Sequence, residues 1–135
     1  MDHPNAQLAR RAWDAIARGD AAALHAVLAP DLIWHATARG APWSGVHRGA
    51  EAAIDMLARV GEATDVFDAD LLDVLASAER VLVLFRVRIA IGARRVDVEY
   101  LMLSRVVGGR ITEVWTAPLE PAAIETFWEG RSLGR

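Results

Sequence analysis

The strongest constraint in this chain is a pair of alternating segments joined through a glycine. Val81-Leu82-Val83-Leu84-Phe85-Arg86-Val87-Arg88-Ile89 leads through Ile91 into Gly92-Ala93-Arg94, and Val96-Asp97-Val98-Glu99-Tyr100-Leu101-Met102 follows. With Gly92-Ala93 as a two-residue hairpin loop, glycine supplies the positive φ that such turns require. Counting outward sets Arg88 opposite Asp97 and Arg86 opposite Glu99, two opposite-charge pairs on one face. On the other face Val83, Phe85 and Val87 meet Met102, Tyr100 and Val98. A slip of one residue sets arginine against valine and destroys both patterns, so the register is strongly specified. The sheet therefore has a defined inside. Between Val83 and Met102 its only polar side chain is Tyr100.

Such a wall needs a core behind it. The 135 residues make a single domain, 1–135, able to bury roughly two-thirds of its unfolded surface. With 53% hydrophobic and 24% charged residues, the chain has a globular composition. A net charge of −3 leaves no electrostatic footprint for nucleic acid, and all 15 basic residues are arginine. The absence of cysteine excludes disulfides, thiolate nucleophiles and cysteine-based metal sites. No basic-then-apolar leader and no apolar run of about 18 residues is present, so no membrane span and a cytoplasmic location are expected. His25, His35 and His47 fall on separate elements with no HxH or HExxH spacing, so no metal site is expected.

Helical signals come first. Pro4 to Arg18 forms a helix with Ala9, Ala12, Trp13 and Ile16 on one face and Gly19 at its end. Asp20 caps a second helix that carries Leu24, Val27 and Leu28 and stops before Pro30. Leu32–Thr37 is a short strand, and Ala38–Gly49, with three glycines and Pro42, is a loop. A third helix shows Ala50, Ala53, Ile54 and Leu57 on one face and ends near Gly61. Strands are then expected at about 66–76, 81–91, 95–107 and 110–116, with a tight turn at Gly108-Gly109. Ile124, Phe127 and Trp128 point to a short helical turn that packs back. Helices followed by an antiparallel meander imply an α+β domain with helices on one face of a curved sheet.

With its elements in this order, the chain resembles the nuclear transport factor 2-like superfamily, in its SnoaL-like polyketide cyclase and ketosteroid isomerase branch. The cues are Ala17-Arg18-Gly19-Asp20, Leu28-Ala29-Pro30-Asp31-Leu32-Ile33-Trp34-His35 and Gly45-Val46-His47-Arg48-Gly49. Asp73-Val74-Leu75-Ala76, Gly109-Arg110-Ile111-Thr112-Glu113 and Phe127-Trp128 complete them. The resemblance covers about residues 5–128. It implies a cystatin-like α+β roll, a cone-shaped and mainly antiparallel sheet with a mixed edge, wrapped around about three N-terminal helices. It also implies a hydrophobic small-molecule pocket, no organic cofactor, and a homodimer through the convex sheet face. It does not imply one reaction, because one scaffold hosts many chemistries.

The resemblance also says where family acids and bases would stand. A general-base aspartate on the first strand corresponds to Ala36, and another at the end of the last strand to Thr116. An aspartate donating to an oxyanion corresponds to a position near Met102. The inward arginine and aspartate of the epoxide-hydrolase branch correspond to a strand whose inward residues here are Val83 and Phe85. None of these groups is present.

Other residues are candidates in their own right. Alternation from Phe67, Ala69 and Leu71 turns Asp73 inward, where an apolar setting would make it a general base. A bulge at Leu71-Leu72, or counting back through a turn at residues 77–80, turns it outward. Tyr100 is an inward phenol that wants a partner, either a ligand oxygen or a core group. His47, near the expected pocket mouth, is a titratable histidine or a solvated one. Trp34, Ala36, Val83, Phe85, Val87, Val98, Met102, Val114 and Thr116 are expected to line the cavity, with Trp43 closing over it or anchoring its loop. His35, Arg86, Arg88, Asp97, Glu99 and Trp115 are expected on the convex, dimer-forming face.

The leading expectation is a small-molecule enzyme performing acid–base isomerisation, cyclisation, hydration or elimination on a hydrophobic carbonyl compound. Tyr100 would hold the oxyanion, and Asp73 or His47 would move the proton. The alternative is a non-catalytic ligand-binding or dimerisation domain of the same fold.

Overall fold

The computed structural model describes residues 3–131. Its first helix, α1 (Pro4–Arg18), starts where expected: Pro4 occupies the first turn and His3 Nδ1 accepts the Asn5 N–H at 3.0 Å. It ends at Gly19, whose φ of 63° is left-handed. Asp20 Oδ1 then accepts the Ala23 N–H at 3.0 Å and opens α2 (Ala21–Val27). After β1 (Leu28–Ala36) and β2 (Gly45–Arg48) comes α3 (Ala50–Ala63). The meander follows as β3 (Val66–Ala76), β4 (Arg80–Ile91), β5 (Arg94–Val107) and β6 (Arg110–Pro118), closed by α4 (Pro121–Trp128).

The six strands form one sheet in the order β2-β1-β6-β5-β4-β3. The β1–β6 pair is parallel and the other pairs are antiparallel, which gives the mixed edge. The β4–β5 register is the one the hairpin count requires: Val87↔Val98, Phe85↔Tyr100 and Val83↔Met102 inside, Arg88↔Asp97 and Arg86↔Glu99 outside. Gly92, at φ 58°, makes the turn.

Two expectations about β1 and the loop after it are corrected. The strand begins at Leu28, ahead of Leu32, and runs past Pro30. Proline lacks an N–H, and the β1–β6 pairing shifts register between Leu28 and Ile33, where Pro30 sits. Residues 38–49 are not all loop, because Gly45–Arg48 pairs with β1 as the edge strand β2. Four residues are too few to display a period. Their strand character comes from the partner, with Gly49 N–H bonding Leu32 O at 2.6 Å.

Helices α1 and α3 lie on the concave face and bury Leu8, Ala12 and Ala15, and Ala53, Met56 and Val60, respectively. Leu32, Val81, Val83, Val87, Val114, Ile124 and Trp128 are among the most completely buried side chains. Burying a large aliphatic side chain stabilises by about 1.5–3 kcal/mol. The concave face therefore carries the core on which the stability of the fold rests.

Candidate functional site

Every wall residue expected from the sequence is buried on the concave side: Trp34, Ala36, Trp43, Val83, Phe85, Val87, Val98, Met102, Val114 and Thr116. Tyr100 stands among them, 6% exposed. Its ring stacks on Phe85 with centroids 5.5 Å apart and planes at 20°, and Phe85 packs on Trp13 of α1 at 5.0 Å. Its hydroxyl has no hydrogen-bond partner among the described residues. Burial pushes the phenol well above its ordinary pKa, so it stays a neutral O–H donor in the physiological range.

Around it the interior is uncharged. Besides tyrosine and tryptophan, the buried polar residues are Thr116 and Ser104. Thr116 stands where the family resemblance sets an aspartate. Its Oγ1 accepts the Trp34 indole N–H at a long 3.4 Å, and its carbonyl accepts from Thr37 Oγ1 at 2.6 Å. Ser104, not singled out from the sequence, sits opposite Val81 and Val114. Continuing the hairpin count one inward pair beyond Met102 lands on it.

His47 pairs in register with Trp34 and so shares the inner side of the sheet, half-buried. The Trp43 carbonyl can only accept, so the 2.7 Å contact fixes the His47 proton on Nε2 and leaves Nδ1 as the basic nitrogen. Asp73 is turned away from the interior. Leu72 is the extra residue of a bulge, Leu71 faces Phe85, and Asp73 faces the outward Leu84. Asp73 is exposed, and its Oδ1 accepts its neighbour Val74's N–H at 2.8 Å. The inward reading of Asp73 is thereby overturned, because one inserted residue reverses the parity of everything beyond it.

Trp43 is buried and meets Trp128 edge-on, with centroids 4.9 Å apart and planes at 89°. It joins its loop to α4. Between α1, α2 and the sheet lies a small apolar cavity of about 10 Å³. Ala12, Leu28, Trp34, Val83, Met102 and Ser104 are among its lining residues. That is the space of about one water. A wider trough of about 300 Å³ near Val66, Arg88, Arg95 and Asp97 is open to solvent at the hairpin tip and holds no enclosed chemistry. Among the described residues no three histidine or acidic side chains converge as metal ligands would, and no helix is long and apolar enough to cross a membrane.

The convex face carries the charges, with partners partly different from the expected ones. Arg86 contacts both Asp97 at 2.7 Å and Glu99 at 3.3 Å, while Arg88 reaches across to Asp68 and Asp70 on β3, each at 2.7 Å. Directly opposed residues offer one partner, but arginine is long enough to span diagonal neighbours. Further along, His35 Nε2 lies 2.7 Å from Glu113 and its ring stacks on Trp115 at 5.2 Å. Arg105 covers Trp115 at 5.9 Å. Leu75, Leu82, Leu103 and Trp115 lie side by side across four strands, an outward apolar row that alternation in single strands does not advertise.

The fold agrees with what comparison with other proteins finds. The family description "SnoaL-like domain" matches residues 9–114. This chain belongs to the SnoaL-like domain family. Uncharacterized proteins of Mycobacterium tuberculosis and Mycobacterium bovis are 33% identical over 129 residues, 94% of this chain and 98% of theirs. Bal32a, from a soil-derived mobile gene cassette, superposes with a TM-score of 0.86 at 30% identity, over 93% of this chain and 96% of that one. IdmH of Streptomyces antibioticus, a proposed polyketide cyclase, shares the fold with a TM-score of 0.74 at 20% identity, over 95% of this chain and 99% of its own. TerC, co-crystallized with polyporic acid, does so at 0.80 and 14%, over 95% and 100%. This SnoaL-like domain thus has the α+β cone of NTF2-like and cystatin-like proteins, with four helices and an open six-stranded mixed sheet among the described residues.

Proposed function

We propose that this SnoaL-like domain takes a hydrophobic, carbonyl-bearing, polyketide- or steroid-like compound into its cone and performs acid–base chemistry on it. The observation that carries this reading is the Tyr100 hydroxyl, buried, neutral and without a hydrogen-bond partner among the described residues, on an apolar wall. A carbonyl or enolate oxygen satisfies it, and in a water-poor site such a donor stabilises developing negative charge strongly. No metal or organic cofactor is needed for proton transfer of this kind.

His47 Nδ1 is the basic group on the same side of the sheet. The pairing runs His47↔Trp34↔Val114↔Ser104, so His47 lies three strands across from β5 and four residues along it from Tyr100. That is roughly 14 Å across and ~13 Å along, on the order of 19 Å in all, at ~4.8 Å per strand and ~3.3 Å per residue. It is therefore suited only to the far end of a long, extended substrate, not to the carbon beside a carbonyl held by Tyr100. The interior is closely filled, so a substrate of several rings enters by spreading the helices from the sheet.

A second reading, a non-catalytic binder, is favoured by Ala36, Met102 and Thr116 standing where family acids and bases are found. Aromatic and polycyclic ketones assayed with wild type, Tyr100→Phe, His47→Gln and Asp73→Asn separate the two. Turnover lost in the first two variants and kept in Asp73→Asn is the expected outcome. Binding without turnover in wild type leaves the binder. Binding indifferent to Tyr100→Phe sinks both.

The convex face is assigned to a homodimer. Its support is the apolar row ending at Trp115, flanked by the Arg86 and Arg105 ion pairs, a mixture that suits an interface.

A further inference from the structure

The described residues hold two buried polar atoms without a hydrogen-bond partner, and only one is explained above: Tyr100 Oη, and Trp128 Nε1 on α4. Trp128 is 1% exposed. A core indole normally finds an acceptor for its N–H. The chain contains its own control, since Trp34 is equally buried and donates to Thr116 Oγ1. A phenylalanine would fill an apolar niche without leaving a donor unpaired.

Trp128 is also held firmly. Arg94, next to the hairpin turn, donates through Nη1 to the carbonyls of Phe127 at 3.1 Å and Glu129 at 2.6 Å, fixing the end of α4. Phe127 and Trp43 pack edge-on around the indole at 5.2 and 4.9 Å. Both unpaired donors lie at the same end of the cone. Tyr100 pairs with Pro118 where β6 finishes, Leu119 N–H bonds Glu99 O at 2.8 Å, and α4 starts two residues later. The cavity near Leu28 and Ile111 is at the other end.

We infer that Trp128 Nε1 is a second ligand donor of this interior, so that the bound compound carries two separated acceptor oxygens, as a quinone or diketone does. This rests on the reading of Tyr100 as the first donor. It adds a specificity: flat, aromatic-sandwiched compounds with one carbonyl bind less well than those with two. The interior offers donors and no charged group, which excludes carboxylated ligands from the same pose.

Two bicyclic probes of similar size test this, 1,4-naphthoquinone with two carbonyl oxygens and 1-tetralone with one. Dissociation constants are measured by equilibrium dialysis for wild type, Trp128→Phe and Tyr100→Phe. Trp128→Phe is expected to weaken the quinone about tenfold, the worth of one hydrogen bond, and to leave tetralone unchanged. Equal weakening of both probes makes Trp128 a packing residue and overturns the inference. No weakening of either means the N–H is spent on the Trp43 π face, and also overturns it. Indifference of both probes to Tyr100→Phe instead defeats the Tyr100 reading, a separate result. Should Trp128→Phe not fold, the wild-type indole ¹⁵N–¹H resonance of Trp128 decides. A downfield shift with naphthoquinone and none with tetralone supports a second donor, and no difference between the probes refutes it.

Discussion

The two faces of one sheet handle polar groups in opposite ways. On the convex face, Arg86, Arg88, His35 and Glu113 each have a partner within 3.3 Å. On the concave side Trp34 donates to Thr116, but Tyr100 and, on α4, Trp128 have no partner among the described residues. Exposed groups could have been left to water at little cost, whereas buried ones lose hydration and gain nothing. Ordinary folding pressure would produce the reverse arrangement. The unpaired donors are what the proposed ligand recognition rests on, and the paired surface charges are what the register sets side by side.

The sharpest way to break this contrast is to exchange the character of neighbouring positions on β4. Val87→Asp inserts an unpaired charge into the core and is expected to cost at least about 4 kcal/mol, unfolding the domain in a urea titration. Arg86→Ala, one residue away, should cost about 1 kcal/mol or less because its ion pairs are partly solvated. Comparable losses would show that the faces are not distinct.

A smaller effect is expected on the convex face. Trp115→Asp sets a charge beside Leu103 and Glu113 and should halve the scattering mass while keeping the circular dichroism of the fold. An unaltered mass rejects the interface.

The smallest effect is the pH response of Tyr100, the single tyrosine of the chain. Its folded pKa lies above the unfolded phenol value of about 10. The sign follows: its contribution to stability is full below about pH 10 and is lost as pH rises through the folded value, because the unfolded chain releases its proton first. Denaturation midpoints at about pH 8 and about pH 11 should show an alkaline loss in wild type that is smaller in Tyr100→Phe. At neutral pH that variant should be as stable as wild type or slightly more so, because it removes a buried group without a partner. An equal alkaline loss in both proteins would mean that the phenol is not buried as described.

Much of this architecture is legible in the residues themselves. The alternation of Val83, Phe85 and Val87 against Arg86 and Arg88, anchored on Gly92, dictates the β4–β5 register and the inward position of Tyr100, because a period of two allows one register per buried face. Pro4, Gly19 and Asp20 announce helix ends through local chemistry alone. Other features depend on what lies far away in the chain. Asp73 faces outward because a bulge at Leu72 fits β3 to β4; the sequence offers that bulge at Leu71-Leu72 as one of two parities, and only the pairing with β4 selects it. The strand β2 exists because β1 offers it an edge. Arg88 chooses Asp68 and Asp70 because β3 lies beside it. Most of all, sequence can say that a tryptophan at 128 packs inward, but not that its N–H finds no acceptor. Periodicity and turn chemistry are local and survive in one dimension, whereas hydrogen-bond satisfaction is a property of neighbours that only the closed cone assembles.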